Sequence, residues 1–269
     1  MKNRKAKGAS GGNTPVDASV AAKGERVQKV LARMGLGSRR EIERWIQEGR
    51  VKINGRTAVL GNRIESHDII KLNDRVVNCH KRVTTRVLLY HKPCGEVVTR
   101  RDPEGRETIF TQLPKLREGR WIAVGRLDVN TQGLLLVTNN GELANRLMHP
   151  SYGLVREYAV RVYGEVSDET LERLRKGVPL EDGIACFDSI EAAGGEGSNR
   201  WYRVSVKQGQ NRIVRRLWES QNLTVSRLIR IRYGQAVLPG QLKARTFYEL
   251  DEKELVRLLQ SVGLESSAD

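Results

Sequence analysis

The stretch GRLDVNTQGLLLVTNNG, residues 125–141, sets one carboxylate, Asp128, between Arg126 and the polar run Asn130, Thr131 and Gln132, and then becomes strongly apolar. Four kinds of chemistry could use it or its neighbourhood. Calcium binding is the first, because Asp128, Asn130, Gln132 and Gly133 imitate the opening half of an EF-hand loop. The twelfth position, however, is Asn139 instead of a bidentate Glu, and an apolar strand follows where a helix should exit. Zinc is the second. Cys79, His80, His91 and Cys94 have a spacing that matches none of the usual ligand patterns. Glycoside hydrolysis is the third and requires two carboxylates flanking one bond, yet no second acid follows before Glu142. There remains a single acid among basic groups, which suits a nucleophile or a base better than a general acid. The plain alternative is a turn aspartate capping Thr131 or Gln132.

The chain that carries this acid is strongly basic. Its 269 residues hold 47 Lys and Arg against 32 Asp and Glu, a formal net charge of +15. Such an excess favours a polyanionic partner, because cations that neutralise phosphates release counterions. The charge is loaded toward the start, with nine of the fifteen net charges in residues 1–72. A hydrophobic content of 39% excludes a disordered chain, and no apolar run has the roughly 20 residues of a membrane span. Three cysteines far apart make no disulfide framework, which points to the cytoplasm.

The elements that must position the acid follow from periodicity. Residues 1–24 are a basic tail without pattern, read as disordered. From residue 25, Val27, Val30, Leu31 and Met34 fall at helical spacing. Ser38 with Glu41 forms a capping box for a second helix that turns Ile42, Trp45 and Ile46 inward. A hairpin about Asn54-Gly55 follows. Arg39, Arg40, Arg50, Lys52 and Arg56 surround the second helix and the hairpin. Each alone reads as a solvated charge, and together they favour RNA. Residues 73–87 read as a polar linker, 88–262 as a second domain, and 263–269 as a tail. In the second domain strands are expected over 121–125, 133–138, 156–164, 201–207 and 228–233, and helices over 141–148, 167–175, 211–220 and 251–262. Without regular βαβ alternation, this mixture predicts an α+β fold with a mixed, largely antiparallel sheet flanked by helices.

The block KVLARMGLGSRREIERWIQEGRVKINGR resembles an S4 domain, a small module that binds structured RNA, over residues 25–72. The segment VGRLDVNTQGLLLVTNNGELANRLMHP resembles the Asp-bearing motif of the pseudouridine synthases, in the branch related to the small-subunit rRNA enzyme. YHKPCGEVVTRRDPEGR, REYAVRVYG, VKQGQNRIVRRLWES, VSRLIRIRYG and LPGQLKARTFYEL resemble the same family in the same order. The wording is closest to members acting on large-subunit rRNA. The resemblance implies isomerisation of one uridine in 23S rRNA, free or in a pre-ribosomal particle, by a cytoplasmic monomer needing no metal or cofactor. It makes Asp128 the carboxylate that promotes breakage of the glycosidic bond, Tyr158 the ring that stacks on the uracil and can move the C5 proton, and Arg215 the partner of Asp128. Arg126 would enter the base stack or hold the flipped nucleotide, and Leu228 would form an apolar floor. Asn130, Lys92, Arg212 and Arg216 would be substrate contacts. Arg156 stands where the family usually has Lys, and Gln210 where it often has Arg. The rival readings are a 16S rRNA enzyme and a non-catalytic ribosome-assembly factor.

Overall fold

A computed structural model describes residues 24–79 and 83–265, so the expected tail over 1–24, Gly24 apart, lies outside the described residues, as do His80 and residues 266–269. The chain divides into two compact units, with the main boundary between residues 81 and 82.

In the first unit, helices α1 (Val27–Arg33) and α2 (Arg39–Gln47) precede a small antiparallel sheet. Its strands β1 (Val51–Ile53), β2 (Arg56–Thr57), β3 (Ile70–Leu72) and β4 (Arg75–Val77) lie in the order β2-β1-β3-β4. The capping box forms as expected, Ser38 Oγ accepting from Glu41 N at 3.1 Å while the Glu41 carboxylate accepts from Ser38 N at 3.2 Å. Ile42 and Ile46 then meet Val27, Leu31, Val51 and Ile70 in one apolar core. The Asn54-Gly55 turn has φ +49° and +82°, the paired left-handed conformation of a tight hairpin. A second such turn at Asn73-Asp74 (φ +50° and +62°) adds β4 to β3, so the segment expected to be linker from residue 73 begins as sheet. Asn and Asp tolerate positive φ, which makes that turn possible without glycine.

The second unit is built on a nine-stranded sheet. Its principal strands are β5 (Val87–Lys92), β6 (Gln132–Thr138), β7 (Arg156–Tyr163), β8 (Ser189–Glu196), β9 (Asn199–Val206), β10 (Thr224–Tyr233) and β11 (Phe247–Glu249), ordered β8-β9-β7-β10-β6-β5-β11. Ile122–Ala123 pairs with β6 and Ala236–Val237 with β10. Every pairing is antiparallel except that of β10 with β6. The helices are α3 (Gly141–Met148), α4 (Asp168–Lys176), α5 (Ile213–Glu219) and α6 (Glu252–Gln260).

Burial explains the two kinds of strand. β5 and β6 are apolar almost without interruption because both faces are covered. Val87, Leu89, Leu134 and Leu136 pack with residues of α3 and α6, whereas Leu88, Tyr90, Leu135 and Val137 pack with Ile109, Trp121 and Leu127. β7 and β10 alternate instead. Tyr158, Val160, Val162 and Leu228 join Leu174 of α4 and Leu217 and Trp218 of α5 in the third core of the unit, while Ala159 and Arg161 are only half-buried.

The parallel junction of β6 and β10 sits where the two halves of the sheet meet, with Gln132 opposite Ile229 and Gly133 opposite Arg230. Gly133 has φ +103°, and a Cβ there would lie 2.3 Å from the Arg230 carbonyl oxygen. Only glycine lets the two backbones approach this closely.

Candidate active site

Asp128 lies in the turn that leads into β6, four residues before its first residue, so a strand buried on both faces fixes the base of the turn. The turn is held chiefly through its carbonyl groups. Lys92 Nζ donates to the carbonyls of Asp128 (3.0 Å), Thr131 (3.0 Å) and Pro93 (2.9 Å). Gly95 N donates to Val129 O at 2.9 Å, and Thr131 N to Asp128 O at 3.0 Å. From α5, Arg215 Nη2 donates to Asn130 O at 2.9 Å while its Nη1 binds Val225 O at 2.9 Å. Each carbonyl from residue 128 to residue 131 therefore has a donor, and two of the donors are buried cations. Main-chain acceptors facing two cations make a rigid, electropositive seat for one carboxylate.

This corrects three expectations. Lys92 is fully buried, and all three of its donors go to main-chain carbonyls, so it anchors the Asp128 turn and has no N–H left for a substrate contact. Burial is also the main influence pushing its ammonium down to about 8, opposed by the nearby charges of Cys94, Glu96 and Asp128. Arg215 forms no ion pair with Asp128 among the described residues. Its terminal nitrogens are taken by carbonyls, and the carboxylate acts on it only through its field. Burial, with Arg212 adding to it, holds the Arg215 guanidinium below its ordinary range. Arg216 forks onto the Asp182 carboxylate, at 2.9 Å for one of its two hydrogen bonds, and so braces the hairpin of Val178–Leu180 and Gly183–Ala185 against α5 instead of facing RNA.

Other expected residues remain open to a ligand. Arg126 and Asn130 are exposed and their side chains have no partner among the described residues. Tyr158 is buried on β7, with Arg230 and Val204 as cross-strand neighbours, while Leu228 faces Val160 one step along the same side. The hydroxyls of Tyr90, Tyr233 and Tyr248 all have partners, whereas that of Tyr158 has none among the described residues. Thr131 Oγ1 and Arg215 Nε are likewise buried without a partner. Arg212 is exposed, reaches Glu219 at 3.4 Å, and sits in the left-handed region (φ +50°) at the N-cap of α5. That strain is tolerated because Ile213, Val214, Leu217 and Trp218 bury the helix behind it.

The sequence reading passed over Gly133 and Arg230. Arg230 is buried, donates from Nε to Leu134 O at 2.8 Å, and leaves Nη2 without a partner among the described residues. A strand written IRIRY gives no signal that one of its arginines faces inward. In the first unit, Arg39, Arg40 and Arg56 are exposed and unpaired among the described residues. Lys52 binds Asp74 at 2.7 Å, and Arg50 binds Glu48 at 3.1 Å and lies over Trp45. Among the described residues no three His, Cys, Asp or Glu side chains cluster as a metal site.

The turn that presents Asp128 thus leads into a strand paired with the one that carries Leu228, and that strand in turn pairs with the one that carries Tyr158. The chain belongs to the RNA pseudouridylate synthase family, whose model matches residues 86–220, and residues 25–76 match the S4 domain. It is similar to the ribosomal large subunit pseudouridine synthase B of Pseudomonas aeruginosa, 57% identical over 91% of this chain and 64% of that protein. The proteins of the same name from Haemophilus influenzae and Escherichia coli K12 are 54% and 56% identical, with 92% and 89% of this chain and 71% and 84% of theirs covered. The chain thus spans just under two thirds of the length of the Pseudomonas relative. In fold it matches a crystal structure of a pseudouridylate synthase at a TM-score of 0.60 and 23% identity, over 87% of this chain and 99% of the other.

Proposed function

We propose that the chain isomerises one uridine of 23S rRNA to pseudouridine, working in the cytoplasm as a monomer on free rRNA or on an assembling large subunit. The observation that carries the reading is the clamped Asp128 turn, in which the flanking carbonyls are all committed and the carboxylate is left available. The reaction breaks the bond between ribose C1′ and uracil N1, joins C1′ to C5, and moves the C5 proton to N1 or to solvent. Atoms and electrons balance within the nucleotide. A base inside a helix cannot reach such a turn, so the uridine must be flipped out. Asp128 promotes the bond cleavage, Tyr158 and Leu228 hold the uracil plane, and Arg126 occupies or guards the vacated stack. The S4 unit supplies grip through Arg39, Arg40 and Arg56.

The names of the relatives favour 23S over 16S rRNA. The Asp128 clamp counts against a non-catalytic assembly factor, since binding alone has no use for two buried cations beneath one acid. Asp128→Asn is expected to lower turnover by at least about a thousandfold, the scale on which loss of a catalytic group acts, while RNA affinity changes little. Substantial residual turnover would remove Asp128 from the mechanism.

A further inference from the structure

Among the described residues, the part of the large sheet formed by β9, β7 and β10 is covered on one face by α4 and α5. On the other face the strand register places Trp201, Arg161 and Arg227 in one row across the three strands, and Arg203, Ala159 and Ile229 in the next. Arg203 and Arg227 are exposed, and even Ala159 and Ile229, central in the sheet, keep solvent contact. Arg161 is held in place, its Nε donating to Ser226 Oγ at 3.0 Å and its guanidinium carbon 5.9 Å from the centre of the Trp201 ring. Arg227 reaches the side chain of Gln132 at 3.4 Å.

Several arginines elsewhere in this unit are neutralised in ion pairs. Arg86, Arg106, Arg146, Arg175, Arg216 and Arg232 each hold a carboxylate. Arg161, Arg203 and Arg227 hold none among the described residues, and two of them, Arg161 and Arg227, stand directly opposite each other. Like charges so placed destabilise a sheet. The acids on this side are Glu157, bound to Arg232 at 2.9 Å, and two glutamates of β8, Glu191 facing Arg203 and Glu196 facing Asn199 at the far end of the strand, neither in an ion pair among the described residues. A polyanion would relieve the repulsion. Guanidinium forks match phosphate oxygens in pairs, and the indole edge offers a surface on which a base or sugar can rest.

We propose that this open sheet face is a second RNA-binding surface, which takes the phosphate backbone of structured RNA outside the segment bearing the target uridine. Tyr158 and Leu228 lie on the opposite face of the same strands, so one nucleotide cannot use both. The inference rests on the reading of the substrate as ribosomal RNA.

The test uses the full chain carrying Arg161→Gln, Arg203→Gln and Arg227→Gln. Binding is measured over a range of salt to full-length 23S transcript and to the shortest fragment that supports turnover. On the full transcript the slope of log affinity against log salt is expected to flatten by about 2–3, near 0.9 for each phosphate no longer neutralised. On the short fragment, affinity and kcat should match the wild type, and the melting temperature should be no lower. An unchanged slope on the full transcript overturns the proposal, as does equal weakening on both RNAs, which would mean that the arginines act through the catalytic site. If the triple variant melts lower, the double variant Arg203→Gln with Arg227→Gln, both at exposed positions, should flatten the slope by about 1–2, and no change overturns the proposal equally. Absence of turnover by the wild type on any rRNA would instead overturn the enzymatic reading, and the slope can be read in either case.

Discussion

At the scale of single residues, the site depends on what lies beneath Asp128 more than on what touches it from above. Lys92 is the clearest case. A buried ammonium with three carbonyl acceptors needs all three of its N–H bonds, and burial places its loss of a proton at about 8. A neutral amine has two N–H bonds for three carbonyls, so the turn loosens as pH rises through that value. The single-turnover rate is therefore expected to fall above about pH 8, while RNA affinity, read in parallel, falls less. Lys92→Met should be slower at every pH and should lack this alkaline limb, and the same limb persisting in the variant would show that another group titrates. The sequence singled out Asp128 through its likeness to the Asp-bearing motif of the family, and the strand after it was legible in the apolar run. The roles of Lys92, Arg215 and Arg216 were not. An arginine or lysine in a motif reads as a hand held out to RNA, and only the fold shows that its donors are already committed to carbonyls or to Asp182.

At the scale of elements, the decisive junction is the parallel contact between β6 and β10, which joins the strand entered from the Asp128 turn to the strand that carries Leu228, itself paired with the strand that carries Tyr158. Gly133→Ala would force a methyl group to 2.3 Å from a carbonyl oxygen in a left-handed backbone conformation. Strain of this kind costs about 1–3 kcal/mol before the clash itself is counted. The variant should melt several degrees lower and lose turnover out of proportion to RNA binding. A wild-type melting curve with normal turnover would show that the junction can spread without harm. Most elements were legible. The helix over Gly141–Met148 falls where expected, and the strands over Gln132–Thr138 and Arg156–Tyr163 deviate by a single residue. The strand Ser189–Glu196 was missed because its second half is Ala and Gly with no apolar alternation, so that pairing to Asn199–Val206 alone defines it. The strand Arg75–Val77 was taken for linker for a related reason, since its hairpin turn contains no glycine.

At the scale of the whole molecule, the net charge of +15 is spread along both units, with nine of the fifteen charges in residues 1–72. Arg39, Arg40 and Arg56 of the S4 unit stand exposed and unpaired among the described residues, remote in sequence from the Asp128 turn. Replacing all three with Gln should flatten the salt dependence of RNA binding by about 2–3 and leave the rate at saturating RNA intact. A changed saturating rate would mean that this unit also shapes the active site. No helix among the described residues is long and apolar enough to cross a membrane. The large basic excess identified a polyanion as partner from composition alone, whereas the choice between 23S and 16S rRNA rests on likeness to named relatives and not on any residue of the chain. The most direct measurement is tritium release from 23S and 16S transcripts made with C5-tritiated uridine, because joining C5 to ribose must expel that label. The account predicts release from 23S by the wild type and none by Asp128→Asn. Release by the Asp128 variant, or release from 16S alone, would contradict it.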